Sequence, residues 1–167
     1  MCKLKKKEAK QKVQLLLLKK NILMNQNLHS PEEAINIISK IMIEDGYVTE
    51  KYRDGMLKRE KDTSTNLGNG IAIPHGTLES KKEILHSGLV VLVSPDGVKW
   101  DNGPEVKLII GIAGAEDEDL NILSNIALKL QDQQAIEDLI NKQNVEEIYF
   151  ILTKENTASQ GLSLIHI

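Results

Sequence analysis

One imidazole stands apart in this sequence. His75 lies in the stretch GNGIAIPHGT, residues 68–77, between a proline and a glycine at the end of a short apolar run. A neutral imidazole nitrogen can attack phosphorus and hold the phosphoryl group as a reactive N–P adduct. Such a site wants the ring held rigidly at the surface, donors for the phosphoryl oxygens, and a small neighbour so that a partner protein can approach. Pro74 stiffens the approach, Gly76 removes a side chain and frees an N–H, and Thr77 offers a hydroxyl. Taken alone, the pattern is more often a structural histidine at a strand end than a phosphoryl acceptor.

Other chemistry has less to stand on. The four histidines, at 29, 75, 86 and 166, lack helical metal-ligand spacing and a cysteine partner, so a metal site or a metal hydrolase built on His75 has little support. GNGIAIPHG fails the dinucleotide fingerprint because Ile73 stands where the third glycine belongs, and neither a phosphate-binding lysine loop nor a G-x-S-x-G elbow is present. No cofactor is expected. Cys2 is the only cysteine; an internal disulfide is excluded, which fits a reducing compartment.

The elements that must position His75 follow from periodicity and punctuation. VQLLLLKKNILM (13–24) reads as a strand with its approaches. Ser30, Pro31 and Glu33 mark a helix start with a capping box, Ala34, Ile35, Ile38, Ile41 and Met42 recur at helical spacing, and Gly46 ends the helix. TEKYRDGMLKREK (49–61) predicts a second, more polar helix capped by Thr49, with Tyr52, Met56 and Leu57 towards the core. Residues 62–70 read as a loop and IAI (71–73) as a short strand closed by Pro74. GLVVLV (88–93) and VKLIIGIA (106–113) are near-continuous apolar runs, as expected of central strands covered on both faces, with SPDGVKWDNGPE between them as loop. Three amphipathic helices follow. Leu120, Leu123, Ile126, Ala127 and Leu130 form the first apolar face, and Ala135, Ile136, Leu139 and Ile140 the second. Ile148, Ile151 and Leu152 form the third, behind a cap-like pair of Asn144 and Glu147. The order predicts one α/β domain, a central mixed sheet flanked by helices on both faces.

Composition narrows the partners. Of 167 residues, 41% are hydrophobic and 27% charged, as in ordinary globular domains, and one domain with a proper core is the expectation. Aromatics make up 3%, which argues against base-stacking nucleic-acid modules. Six Lys and one Glu fall within residues 1–12, whereas the whole chain carries −3, so the remainder is clearly acidic and a poor binder of a phosphate backbone. Residues 1–12 read as a basic tail or linker and 153–167 as a flexible or extraneous tail. No apolar run reaches the ~18 residues of a membrane span, and direct membrane insertion is not expected.

The wider pattern carries more than His75 does. DGYVTEKYRDGMLKREKDTSTNLGNGIAIPHGT (45–77), followed by GLVVLVSPDGVKWDNGPEVKLIIGIAG (88–114), resembles enzyme IIA of the bacterial sugar phosphotransferase system, in the mannitol branch of its mannitol–fructose class. The resemblance covers residues 13–152 and rests on MLKRE, GIAIPHGT and VSPDGVKW…GPEVKLIIGIA. It implies a cytoplasmic phosphotransferase with a phosphohistidine intermediate: a histidine takes the phosphoryl group from phospho-HPr and passes it to a cysteine of enzyme IIB, for uptake of mannitol or a related sugar. His75 matches that histidine. Arg59 matches the arginine beside it, a role suited to a permanently charged, forked donor. Members usually carry a second histidine at the start of the helix after GIAG, and Asp119 stands there instead. A carboxylate would repel a phosphoryl dianion, or hold the His75 ring and raise its basicity, or merely complement the helix dipole beside Glu116, Asp117 and Glu118. A IIA-like regulatory domain and a degenerate module that no longer takes phosphate are the other readings.

Overall fold

The computed structural model describes residues 16–115, 118–131, 133–142 and 144–153. The basic head and residues 154–167 of the expected C-terminal tail lie outside them, while Thr153 belongs to the last helix. The elements run β1 (Leu17–Leu23), α1 (Pro31–Glu44), α2 (Lys51–Asp62), β2 (Ile71–Ala72), a 3₁₀ turn (Glu79–Glu83), β3 (Gly88–Val98), β4 (Val106–Ala113), α3 (Glu118–Lys129), α4 (Gln133–Lys142) and α5 (Val145–Thr153). The expected α/β architecture is present. The four strands lie in the order β1-β3-β4-β2, with β1 parallel to β3, β2 parallel to β4, and β3 antiparallel to β4.

The two apolar runs are central strands because both their faces are covered. Leu89, Val91 and Val93 of β3 and Leu108, Ile110 and Ile112 of β4 share one core with Ile122, Ile126, Leu130, Ile136, Leu139, Ile140, Ile148 and Leu152 from α3, α4 and α5. The alternate residues Val90, Leu92, Ile109 and Ala113 face the other way, onto Ile35, Ile38 and Met42 of α1 and Tyr52 and Met56 of α2. The period-two alternation of a strand thus serves two cores at once. At Gly111 a Cβ would overlap Ile38, so α1 lies directly on the β4 backbone there.

Local signals in the sequence act as expected at α1. Ser30 Oγ accepts from Glu33 N at 3.2 Å, although the Glu33 carboxylate returns its bond to His29 N and not to Ser30 N. Gly46, at φ +77°, closes the helix: its N–H bonds Ile43 O and Tyr47 N bonds Met42 O, which together satisfy two terminal carbonyls. Asn144 Oδ1 caps α5 through Glu146 N and Glu147 N.

Three expectations change. Thr49 does not cap α2. The position before the helix is Glu50, in a helical conformation with no side-chain cap, and Thr49 Oγ1 donates to Glu83 at 2.5 Å. β3 runs on through Ser94–Val98, which the turn signal Asp96-Gly97 suggested was loop; a register shift after Val93 and φ +84° at Gly97 absorb the irregularity within the strand. Of IAI, only Ile71 and Ala72 pair as strand before Pro74. In α3, Ile122 joins Ile126 and Leu130 in the core, while the side chains of Leu120, Leu123 and Ala127 lie outside the described residues.

Candidate functional site

His75 sits where β2, interrupted by Pro74, resumes its pairing beside β4. His75 bridges Ile112, and Ile112 N donates to Pro74 O at 2.9 Å. The ring is half-buried, and its Nδ1 lies 2.8 Å from Ile73 O. A carbonyl oxygen only accepts, so Nδ1 carries a proton. In the neutral ring Nε2 then holds the lone pair.

The turn that follows is locked from α2. Gly76 N donates to the Tyr52 hydroxyl at 2.9 Å, and that hydroxyl donates to Ile112 O at 3.0 Å. This overturns one expectation: the Gly76 N–H is occupied within the fold and is not offered to a ligand. The second reason for glycine at 76 stands, since a Cβ there would overlap Ser80 Oγ and come within 2.6 Å of the Tyr52 ring. Gly55, on α2, is crowded in the same way by Ser80. Thr77 Oγ1 accepts from Ser80 N at 3.2 Å and keeps its own proton. Beyond it Leu78 is 81% exposed.

Arg59 lies half-buried in the last turn of α2, and its Nη1 donates to Thr63 O at 2.5 Å. Among the described hydrogen bonds none joins Arg59 to His75. The two are connected through the loop between α2 and β2: Thr63 O takes Arg59, Thr65 O takes Ile73 N, and Ile73 O takes the imidazole. Asp119 falls in the first turn of α3, and its side chain lies outside the described residues.

Sequence reasoning missed what holds this loop. The Glu60 carboxylate accepts from Thr65 N at 2.7 Å, from Thr65 Oγ1 at 2.9 Å and from Trp100 Nε1. Asp101 accepts from Ser64 Oγ, Asn66 Nδ2 and Gly103 N, and the Ser64 bond, with the others behind it, holds its carboxyl below the usual range. The β3–β4 connection therefore clamps the loop ahead of His75. A signal for Tyr52 was present: a tyrosine on an apolar helix face brings a hydroxyl that must find a partner when buried. Glu60 had none, because its partners are 5 and 40 residues away.

Among the described residues no three His, Cys, Asp or Glu side chains are grouped to hold a metal ion. No described helix is long and apolar enough to cross a membrane.

Residues 15–155 match the family model of the phosphoenolpyruvate-dependent sugar phosphotransferase system, EIIA 2. The chain belongs to that family. Among relatives of this EIIA 2 chain, the mannitol-specific phosphotransferase enzyme IIA component of Bacillus subtilis is 45% identical over 141 residues, 84% of this chain and 99% of the relative. The crystal structure of IIA mannitol from Escherichia coli superposes with a TM-score of 0.73 at 35% identity, over 79% of this chain and 95% of that one. Enzyme IIA in the complex with phosphorylated enzyme IIB of the E. coli mannitol system gives 0.74 at 34% identity, over 79% and 93%.

Proposed function

We propose that this EIIA 2 chain carries a phosphoryl group on Nε2 of His75, takes it from phospho-HPr, and gives it to a cysteine of enzyme IIB on the cytoplasmic side, for uptake of mannitol or a related sugar. The observation that carries the reading is the bond from Nδ1 to Ile73 O, which fixes the ring and leaves Nε2 as the nucleophile. In the first step the Nε2 lone pair forms a bond to phosphorus as the N–P bond of the donor histidine breaks and its nitrogen regains the electron pair. In the second, the IIB thiolate bonds phosphorus and the Nε2–P bond breaks. The Nδ1 proton stays in place throughout, so the phosphorylated ring is cationic and a good leaving group, and Ile73 O faces that charge. The names of the relatives and the complex with enzyme IIB support the mannitol branch and the acceptor, and favour them over a regulatory role.

Arg59 steadies the phosphoryl oxygens in this reading, with its guanidinium released from Thr63 O or sharing its remaining donors. Asp119, in the first turn of the helix that follows the strand beside His75, is in this reading a carboxylate that repels the phosphoryl dianion and favours its onward transfer. An Asp119→His variant with a longer-lived phosphoprotein supports that role; an unchanged lifetime removes it.

The test is incubation with phosphoenolpyruvate, enzyme I and HPr, followed by intact mass. One acid-labile phosphoryl group is expected on the wild type and none on His75→Gln. Label that persists in the variant sinks the assignment. Arg59→Gln is expected to slow transfer more than tenfold, about 1.4 kcal/mol of barrier, while changing stability by no more than about 0.5 kcal/mol.

A further inference from the structure

We propose that Tyr52 is the positioning residue of His75: its buried hydroxyl ties α2, which carries Arg59, to the His75 turn and to β4, and keeps the imidazole proton on Nδ1. Tyr52 is 2% exposed. Its hydroxyl donates to Ile112 O, a group that only accepts, and accepts from Gly76 N, a group that only donates. Gly76 follows the histidine. Ile112 pairs with it and stands one residue before the end of the strand that leads to α3. Tyr52 and Arg59 are seven residues apart on α2, two helical turns, and so lie along one side of that helix.

Geometry makes the hydroxyl consequential for the ring. Ile73 O and Gly76 N are the backbone groups on either side of Pro74–His75, and one holds the imidazole while the other is held by Tyr52. With Gly76 fixed, the short arc of chain carries the ring back onto Ile73 O. With Gly76 released, the turn keeps Ile112 N on Pro74 O and the Thr77–Ser80 bonds, none of which takes the Gly76 N–H. A histidine freed from such a bond carries its neutral proton mainly on Nε2, the nitrogen that must attack. Tyr52 thus keeps the nucleophilic nitrogen bare without touching it.

The kinetic arm of the test rests on the phosphoryl-carrier reading, and the spectroscopic arm does not. Nitrogen-15 NMR of the His75 ring, at a pH where it is neutral, should show the Nδ1–H form in the wild type and a shift towards Nε2–H in Tyr52→Phe. Phosphorylation by enzyme I and HPr should slow at least tenfold in Tyr52→Phe. Ile148→Ala, which opens the core on the opposite face of the sheet, serves as the control: it should lower the melting temperature and leave both readings unchanged. A folded Tyr52→Phe with the wild-type ring signature and rate overturns the proposal. So does an equal ring shift in Ile148→Ala, which would make the effect one of general destabilisation. Where Tyr52→Phe does not fold, 3-fluorotyrosine in place of tyrosine keeps the hydroxyl and weakens it as an acceptor. The Gly76 amide and the His75 ring nitrogens should then move together, and a shifted Gly76 amide beside an unmoved ring overturns the proposal. A wild type that takes no phosphoryl group defeats the carrier reading, and the ring measurement still decides the role of Tyr52.

Discussion

The stretches on either side of β2 both use glycine, for opposite physical reasons. Ahead of it, Gly70 has φ +92° and an added Cβ would meet nothing within 4 Å. Glycine is there for a torsion that other residues adopt only under strain. Behind it, Gly76 has no such torsion, and a Cβ would run into Ser80 and the Tyr52 ring. Glycine is there for room. The first stretch is held by side chains from the end of α2 and from the β3–β4 connection, Glu60 and Asp101 above all. The second is held by packing, by one buried hydroxyl and by short bonds to Ser80 and β4. A torsion can be strained by degrees, whereas occupied volume must be vacated, so the turn that presents the histidine is the less forgiving of the two.

The contrast is broken most directly by adding one methyl group to each. Gly76→Ala must displace Tyr52 and leave the Gly76 N–H and Ile112 carbonyl poorly paired, and should cost about 3 kcal/mol. Gly70→Ala carries only torsional strain and should cost about 1 kcal/mol. Denaturant midpoints check both, and equal losses would mean that torsion, not volume, governs the histidine turn.

Glu60→Gln sharpens the account of the first stretch. Three donors converge on that carboxylate, and an amide must turn an N–H towards at least one of them. The expected loss is about 2 kcal/mol. Trp100 is the only tryptophan, so its fluorescence reports the clamp directly. An unchanged emission spectrum and midpoint would show that Glu60 is incidental.

The smallest effect is pH-dependent. The carboxyl of Asp101 is held below the ordinary value of about 3.9 by its bonds to Ser64, Gly103 and Asn66. A lowered folded pKa means that the stabilisation is complete above the ordinary carboxylate range and is lost as pH falls through the folded value. Acid should therefore loosen residues 64–66 and 101–103 first. Amide exchange of Asn66 and Gly103 against pH measures this, and Asp101→Asn should abolish the acid step while leaving the histidine turn protected.

Much of this molecule is written in local pattern. The Ser30 cap, the Gly46 terminator and the Asn144 cap are bonds between neighbours in the chain, and neighbours can be read in order. The apolar runs 88–93 and 106–113 required cover on both faces, and the helical stripes before and after them supplied it. Pro74 and Gly76 beside an imidazole were legible as a local pattern, and the resemblance to enzyme IIA was carried by motifs of the same kind. The extension of β3 through Gly97 was not legible, since a turn-forming dipeptide was absorbed by pairing with a strand that turn signals cannot see. The state of the imidazole was decided by tertiary structure alone. Whether Nδ1 or Nε2 holds the proton depends on where Ile73 O lies, and that depends on a tyrosine 24 residues from Gly76 and on a carbonyl of β4 60 residues from that tyrosine. Sequence determines which groups can bond, and only the packed fold brings a buried donor and acceptor within the 3 Å at which they must.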